Sequence, residues 1–325
     1  MPKPFEKFSP VERKEKSPEK EKEKKALSLI KEIEEIKKRM TKEGETSEDY
    51  QKIAKLLKQI ELLYGKPETK RPVSWEKIEG LEKIFSKEFD ENIYYPTFSP
   101  TGDEIMVNEG FYTLKIYDLK GNIIFSKNLE EYIHCPSFSP TGDKIIINEG
   151  FKILKILDLK GNVMFSKNFE EEIFYPSFNP TGNKIMFREG KNTLKIIDLK
   201  GREIFSKDFE KYILRPCFSP SGDKIMFVEE DKILKIIDLK GNIIFSKDFE
   251  NTIDYPTFNP TGDKIIFIEG TNTLKIIDLQ GNEIFSKLFK EPIAHPTFSP
   301  SGEEIMIKEG GKRLSIYKIK GQRRK

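Results

Sequence analysis

Histidine and cysteine are scarce in this sequence of 325 residues, which contains two of each. The cysteines, Cys135 and Cys217, are too few for a disulfide framework or a four-cysteine zinc site. The histidines, His134 and His295, add little further capacity for binding a metal ion. We therefore expect no metal site and no cofactor, and the sparing use of cysteine favours a reducing compartment.

Long apolar runs are also absent. Only 36% of the residues are hydrophobic, and no stretch approaches the roughly 18 consecutive apolar residues that a membrane-spanning helix requires. The first 25 residues are rich in Lys, Glu and Pro and lack an apolar core, which excludes a secretory signal or a lipid anchor there. These absences predict a cytoplasmic protein that does not enter a membrane.

Neither sign of charge is in excess over the whole chain, because 57 Lys and Arg oppose 54 Asp and Glu. Residues 1–75 contain 20 basic and 15 acidic residues, whereas residues 76–325 contain 37 and 39. The balance excludes a strongly basic nucleic-acid protein as the default, and the shift in composition predicts a domain boundary near Trp75. Abundant Lys, Glu and Ile resemble the composition of heat-adapted proteins.

A period of forty residues organises the rest of the sequence. The pattern P-[TSC]-F-[SN]-P-[TS]-G-[DNE] begins at Pro96 and returns every forty residues until Pro296, which gives six copies. Twelve of the 19 prolines and 17 of the 21 glycines fall in repeated columns. Because these residues mark turns, each repeat is divided at the same places.

Each repeat contains four short apolar runs, which predict four strands and leave little room for a helix. In the second repeat the predicted strands are 133–139, 144–148, 154–159 and 163–167. The turns Pro140-Thr141-Gly142 and Lys160-Gly161-Asn162 separate them in pairs. The second strand is apolar at consecutive positions, so both of its faces should be buried between stacked sheets. The first strand contains Pro136, which is tolerated at a free edge, so this strand should lie innermost.

Six such sheets arranged around an axis predict an all-β fold, a six-bladed β-propeller. The last repeat lacks a fourth strand, and a matching segment, Ile84-Phe85-Ser86-Lys87, precedes the first repeat. We therefore predict that residues 83–88 pair with residues 314–319 and close the ring.

The repeated segments at 98–105 (F-S-P-T-G-D-x-I) and 114–121 (L-K-I-x-D-L-K-G) are similar to those of WD-repeat-like propellers of the TolB type. The resemblance covers roughly residues 83–321 and implies a propeller fold. The sequence departs from true WD repeats because it has neither the Gly-His pair nor the Trp-Asp pair, and its single Trp, Trp75, lies outside the repeats. TolB-like members are typically exported, and that role does not carry over to a chain with no secretory signal at its start.

The pattern of repeated carboxylates predicts a role in turns rather than in catalysis or metal binding. The column that begins with Asp118 precedes a Lys-Gly-Asn turn and becomes Lys318 in the sixth copy, so it forms no complete ring. Cys135 adjoins His134 in sequence, but neighbouring strand residues point to opposite faces. We predict no catalytic residues; a hydrolase-like propeller enzyme with its site at the channel mouth is an alternative.

The six copies differ most in two loops that emerge on one face, the loop before each repeated Pro and the loop between the second and third strands. These loops are rich in aromatic residues over the first three repeats, which is the composition of a protein-binding hot spot. The predicted partner-binding residues are Tyr94, Tyr95, Phe111, Tyr112, Tyr132, His134, Phe151, Phe174, Tyr175, Arg215, Tyr255 and His295. The alternative is that these loops vary freely because packing does not constrain them.

An arm precedes the propeller. Residues 1–22 are predicted to be disordered, residues 23–65 to form an α-helical hairpin, residues 66–82 to be a linker, and residues 83–325 to be the propeller. The apolar stripe of the hairpin would dock on the propeller, on a second copy or on a partner.

These features predict a non-enzymatic protein-protein interaction scaffold that binds its partner through the aromatic rim, with the helices as a second contact or an oligomerisation element. The alternative is a nucleic-acid or ribonucleoprotein-associated factor that uses the basic arm and the basic C-terminal tail.

Overall fold

The computed structural model describes residues 18–43, 52, 56 and 72–324. The chain divides into two compact units, residues 1–69 and residues 70–325. In the part of the chain that is described, none of the helices has the length and hydrophobicity needed to span a bilayer.

The first unit contains helix α1 (Pro18–Glu43). Its apolar residues Leu29, Ile33 and Ile36 are buried together with Leu56, which is also helical, as the three- and four-residue spacing predicts. The helix begins at Pro18, a residue that is tolerated in the first turn of a helix. Residues 18–22, which the sequence analysis predicted to be disordered, are therefore helical. The rest of segment 1–22, most of the predicted second helix and the start of the predicted linker lie outside the described residues.

The second unit is a six-bladed β-propeller, and each blade is a four-stranded antiparallel sheet. Blade 1 contains β2 (Ile93–Phe98), β3 (Glu104–Glu109), β4 (Thr113–Asp118) and β5 (Ile123–Asn128). Blade 2 contains β6 (Ile133–Phe138), β7 (Lys144–Glu149), β8 (Ile153–Asp158) and β9 (Val163–Asn168). Blade 3 contains β10 (Ile173–Phe178), β11 (Lys184–Glu189), β12 (Thr193–Asp198) and β13 (Glu203–Asp208).

Blade 4 contains β14 (Ile213–Phe218), β15 (Lys224–Glu229), β16 (Ile233–Asp238) and β17 (Ile243–Asp248). Blade 5 contains β18 (Ile253–Phe258), β19 (Lys264–Glu269), β20 (Thr273–Asp278) and β21 (Glu283–Leu288). Blade 6 combines β22 (Ile293–Phe298), β23 (Glu304–Glu309) and β24 (Arg313–Arg323) with β1 (Trp75–Glu88) from the other end of the unit. The predicted fold and number of blades are confirmed.

The blades are held together by the second strand of each sheet, whose side chains are buried on both faces. In β3, Met106 packs against blade 2, whereas Ile105 and Val107 pack against blade 6. All three residues are at most 2% exposed. Continuous apolar sequence in this strand therefore fills two interfaces between blades, as predicted.

The predicted ring closure is confirmed and is longer than expected. Lys83 pairs with Tyr317 and Glu88 with Arg313, and the same two strands continue until Trp75 pairs with Arg323. Residues 75–82, assigned to a linker from the sequence, are therefore part of the closing strand. Three register shifts interrupt the pairing, so this segment lacks the two-residue alternation by which a strand is recognised.

Both repeated hairpins are turns, as predicted. In the turn after β4, Oδ1 of Asp118 accepts hydrogen bonds from the backbone nitrogens of Lys120 and Asn122 at 2.9 and 2.8 Å. In the turn after β2, Oδ1 of Asp103 accepts one from the Ser99 hydroxyl at 3.0 Å. We call the end of the propeller that carries these turns the hairpin face, and the opposite end, which carries loops such as 110–112 and 129–132, the loop face.

A ring of aromatic and cationic side chains at the channel mouth

The innermost strand of every blade has a bulge at the residue before the repeated proline. In blade 1 the register shifts between Tyr94 and Thr97, and Tyr95 has a φ of 51°. The equivalent residues of all six blades have φ between 46° and 56°, a left-handed conformation that non-glycine residues rarely adopt. They are Tyr95, Cys135, Tyr175, Arg215, Tyr255 and His295, and we call them the channel ring.

The bulges place the channel ring around the central axis. These six side chains, together with the proline and the small residue that follow each of them, line a cavity of about 220 Å³. Aromatic members from neighbouring blades contact each other, since the ring centroid of His295 lies 5.1 Å from that of Tyr95 and 4.1 Å from that of Tyr255. Strand β2 and its counterparts are therefore the innermost strands, as predicted.

Arg215 is the cation of the channel ring. Its guanidinium carbon lies 3.9 Å from the ring centroid of Tyr255 and 4.9 Å from that of Tyr175, so the cation lies between two aromatic rings. Asp254 accepts hydrogen bonds from its Nε at 2.8 Å and its Nη2 at 3.3 Å. The side chain is 19% exposed, and this forked pairing fixes its orientation.

A second group of rings lies beside the channel ring. His134 is central, with its ring centroid 4.1 Å from that of Phe151 and 6.2 Å from that of Tyr132. Tyr132 in turn lies 4.9 Å from Phe111 and 5.0 Å from Tyr112. The complete row, which we call the aromatic arc, is Tyr94, Phe111, Tyr112, Tyr132, His134, Phe151 and Phe174.

The aromatic arc is less exposed than the sequence suggested. Phe111 and Tyr112 are 45% and 44% exposed, whereas the other rings of the arc are half-buried against one another. The predicted residues of blades 1–3 therefore come together as a continuous surface with two projecting rings, and Arg215, Tyr255 and His295 belong to the channel ring.

Two further cations adjoin these rings. The guanidinium carbon of Arg188 lies 4.2 Å from the ring centroid of Phe174, and Nζ of Lys308 lies 4.8 Å from that of Tyr94. Arg188 is only 8% exposed and donates a hydrogen bond from Nη1 to the carbonyl oxygen of Ile213 at 2.8 Å. Burial lowers the pKa of both side chains.

The two histidines lie on the same side of the mouth. Both lie beside Tyr95, whose hydroxyl group is 3.3 Å from Nδ1 of His134. Burial, followed by the positive charges of Arg215 and Lys308, holds the pKa of His295 well below its usual range, so the imidazole is neutral at pH 7.

Cys135, one of the two cysteines that line the channel, is a poor nucleophile. Burial raises the pKa of Cys135 to about 11, which keeps the thiol protonated at neutral pH. Its neighbour His134 is bonded to Tyr95, as described above, and its own pKa is lowered by burial. This environment argues against a cysteine-histidine pair at the mouth. Among the described residues, no group of three or more His, Cys, Asp or Glu side chains could hold a metal ion.

Most of the basic C-terminal tail lies in β24, and several of its charges are paired. Lys320 contacts Glu82 at 2.6 Å, and Arg323 contacts Glu303 at 2.5 Å. Arg324 lies 3.8 Å from Asp263. These ion pairs reduce the charge that the tail offers to a nucleic acid.

Sequence reasoning did not select Asp254, Arg188 or Lys308. Asp254 does stand in the variable loop column, so its position was a signal. Arg188 and Lys308 occur in a strand column that is Asn108 and Asn148 in the first two blades and Val228 and Ile268 in the fourth and fifth. A cation in a column that is otherwise neutral was the signal that could have identified them.

The comparisons with known proteins support the fold. A family model described as a family of unknown function (DUF5711) matches residues 148–237. No curated protein matches the sequence. Among solved structures, the β-propeller domain of Cps50 (Swd1) from Myceliophteria thermophila is similar, with a TM-score of 0.61 and 12% sequence identity over 74% of this chain and 100% of that domain. The chain is a β-propeller, and its membership of the TolB-type group stays a prediction.

Proposed function

We propose that this protein is a non-enzymatic interaction scaffold whose loop face binds a protein partner. The aromatic arc carries the proposal, because its rings pack into one surface from which Phe111 and Tyr112 project at 45% and 44% exposure. Rigid rings bury a large apolar area with little loss of side-chain entropy, which is why aromatic residues dominate binding hot spots.

The backbone of the loop face supports this proposal. All six residues of the channel ring are held in a left-handed conformation, at a cost of roughly 1–3 kcal/mol each. The same bulge recurs in every blade, so the repeated strand fixes the position of these side chains and only their identity varies. Strain of this kind concentrates where side chains must be aimed at a ligand.

The first unit is proposed to provide a second contact or an oligomerisation element. On α1, Leu27 is 54% exposed, outside the cluster formed by Leu29, Ile33, Ile36 and Leu56. Analytical ultracentrifugation of the full chain and of a chain that lacks residues 1–69 tests the oligomerisation role. A sedimentation coefficient that indicates a monomer for the full chain at all concentrations would reject it.

The partner-binding role is tested by affinity recovery from the source lysate with a Phe111→Ser/Tyr112→Ser variant. We expect at least one protein to be recovered with the unaltered chain and to be lost with this variant, because the substitutions remove the two exposed rings that would contact it. The matched control is Ile123→Ser/Ile124→Ser, two residues that are 54% and 51% exposed near the hairpin face. If every recovered protein binds both variants equally, the loop face is not the binding surface.

A further inference from the structure

Positive charge exceeds negative charge at the channel mouth. Arg188, Arg215 and Lys308 adjoin the aromatic rings there. Of these three cations, only Arg215 has a carboxylate at ion-pair distance among the described residues, and that carboxylate belongs to Asp254. Glu172 acts on Arg188 only from a longer distance. Arg188 and Lys308, which lie beside the mouth and do not line its cavity, therefore lack a direct counter-charge.

Several buried polar groups near the mouth also lack a hydrogen-bond partner among the described residues. Nε of Arg188 and the hydroxyl groups of Ser137 and Ser177 are inaccessible and unpartnered. Both serines line the channel, and both belong to blades 2 and 3, as Arg188 does. A buried donor without an acceptor is costly, so a negative charge in the channel beside these atoms would be stabilised, although they are too deeply buried to bond it directly.

The periphery of the loop face has the opposite charge. In the loops that join successive blades, ten exposed acidic residues outnumber two exposed lysines, Lys211 and Lys290. The acidic residues are Asp90, Glu91, Glu130, Glu131, Glu170, Glu171, Glu172, Glu210, Glu250 and Glu291. The loops between the second and third strands add four exposed lysines to the same face: Lys152, Lys191, Lys232 and Lys312. Acidic residues still outnumber lysines around the cationic centre, chiefly in the loops that join successive blades, which we call the acidic margin, and a binding partner would complement both.

Resting on the proposed function, we propose that the channel mouth binds one carboxylate, that of an Asp or Glu side chain on a partner segment whose flanking residues are Lys or Arg. Arg215 is the donor that lines the channel; Asp254 occupies two of its five N–H groups and a further bond is made to Tyr255, which leaves the remainder for a ligand. Arg188 and Lys308 supply the surplus positive charge, and the basic flanks face the acidic margin.

The size and charge of the mouth favour this ligand. A cavity of about 220 Å³ is smaller than the pockets that enclose drug-sized molecules, so it suits the tip of one side chain. Asp254 and the acidic margin disfavour a doubly charged phosphate and a chain of phosphates. Because aromatic rings exclude water around the cations, one carboxylate interacts with them more strongly than it would at an open surface.

Selection from a displayed library of random 12-residue peptides on the immobilised full chain provides the first test. Peptides that depend on Phe111 and Tyr112, as judged by loss on the Phe111→Ser/Tyr112→Ser variant, are expected to share one Asp or Glu with Lys or Arg on either side. If such peptides are selected but contain no acidic position, the carboxylate proposal fails and the binding function remains. If no selected peptide depends on the two rings, both fail.

A synthetic peptide chosen from the selection provides the second test, by fluorescence anisotropy. Replacing its Glu with Gln is expected to weaken binding about tenfold, the usual effect of losing a charged hydrogen bond. The same replacement should weaken binding by clearly less than tenfold on Arg188→Met or Lys308→Met chains, because Arg215 still binds the carboxylate while part of the surplus positive charge is lost. Lys312→Met, which removes an exposed lysine of the same face, is the control and should retain the tenfold effect.

Folding of each variant is checked by its thermal midpoint. Arg188→Met removes a buried charge that has no ion-pair partner but also a hydrogen bond to the carbonyl oxygen of Ile213, so we expect a lower midpoint with the fold retained. Lys308→Met affects a half-buried side chain and should change the midpoint less. An undiminished tenfold Glu-to-Gln effect on both variants would overturn the proposal. Tighter binding of a peptide with phosphoserine in place of Glu would also overturn it, in favour of a phosphate site.

Discussion

The two ends of the propeller differ in how they treat the backbone. In the described part of the chain, residues with positive φ in the turns of the hairpin face are all glycines, such as Gly102 and Gly121. All nine non-glycine residues with positive φ lie either in loops of the loop face, as Phe151, Glu230 and Asp231 do, or in the adjoining half of the innermost strands, as the channel ring does. The hairpin face is locally relaxed, whereas the loop face stores strain.

The difference extends to hydrogen bonding. At the hairpin face each carboxylate of the Asp118 column accepts bonds from its own turn, and in blade 5 Asp278 accepts them from Gln280 and Asn282. The buried polar side-chain atoms that lack a partner are instead in the column of Arg188, in the channel and at His134. The repeated turns of the hairpin face therefore bond their own polar groups, whereas polar side chains buried near the loop face lack a partner. The predictions below test this division, beginning with the largest expected effect.

Among the glycines in the turns of the hairpin face, Gly302 should be the most sensitive to substitution. A Cβ there would lie 2.7 Å from the carbonyl oxygen of Val73, in the segment that closes the ring. We expect Gly302→Ala to lower the free energy of unfolding by about 3 kcal/mol, from left-handed strain and backbone displacement together. Urea denaturation measures this value.

Gly262→Ala is the matched control. Both glycines have a φ of 73°, but the nearest atom to a Cβ at Gly262 is a carbon of the Pro220 ring, at 3.4 Å. This substitution should cost only about 1 kcal/mol, the strain alone. Equal losses in the free energy of unfolding at the two positions would show that contact with Val73 in the closing segment does not contribute to the cost at Gly302. Neither variant should alter binding at the loop face.

Acid should weaken the hairpin face through Asp143 and Asp223. Burial alone would raise the pKa of Asp143, but hydrogen bonds from Lys144, Thr141 and Ser139 outweigh it and lower the pKa to about 2. Hydrogen bonds from Ser221 and Lys224 lower the pKa of Asp223 to about 2. Since both values lie below the ordinary value of about 3.9, the stabilisation is complete above pH 4 and is lost as the pH falls towards 2.

Blade 3 shows that this turn also forms with a side chain that does not titrate, because Asn183 occupies the same column and accepts a hydrogen bond from Thr181 at 2.8 Å. Replacing both aspartates with Asn therefore provides a pH-insensitive variant. We expect an Asp143→Asn/Asp223→Asn chain to melt about 2–4 °C lower than the unaltered chain at pH 7 and at the same temperature at pH 2. Calorimetry over this range measures both. A difference that persists undiminished at pH 2 would exclude this electrostatic explanation.

Much of the fold could be predicted because the forty-residue period repeats each turn signal six times. The closing strand was found for the same reason, since Ile84-Phe85-Ser86-Lys87 repeats a known column. Its continuation to Trp75 was missed because the bulges there remove the strand periodicity. Helix α1 was expected from its apolar spacing, but its start at Pro18 was hidden by charged residues typical of disorder.

The candidate site was predicted less completely. Variation between copies identified the aromatic residues of the loop face and the residue before each proline. It could not show that these latter residues adopt a left-handed backbone, because this conformation depends on a bulge against the second strand and not on residue type. The partners Asp254 and Arg188 were missed because ion pairs and ring contacts between blades join residues far apart in sequence.

The smallest expected effect concerns Glu230, which has a φ of 51° where the five other blades have Gly110, Gly150, Gly190, Gly270 and Gly310. Replacing it with Gly relieves left-handed strain at the loss of one exposed ion pair with Lys211 at 2.9 Å, which contributes little. Glu230→Gly should therefore raise the free energy of unfolding by about 0.5–1 kcal/mol. The reverse change, Gly270→Glu, introduces the strain where no atom lies within 4 Å of a Cβ, and it should lower stability by a similar amount. Urea denaturation of both variants decides the matter: if Glu230→Gly gives no gain while Gly270→Glu gives a loss, contacts of Glu230 offset its strain, and the loop face is less strained than its backbone angles indicate.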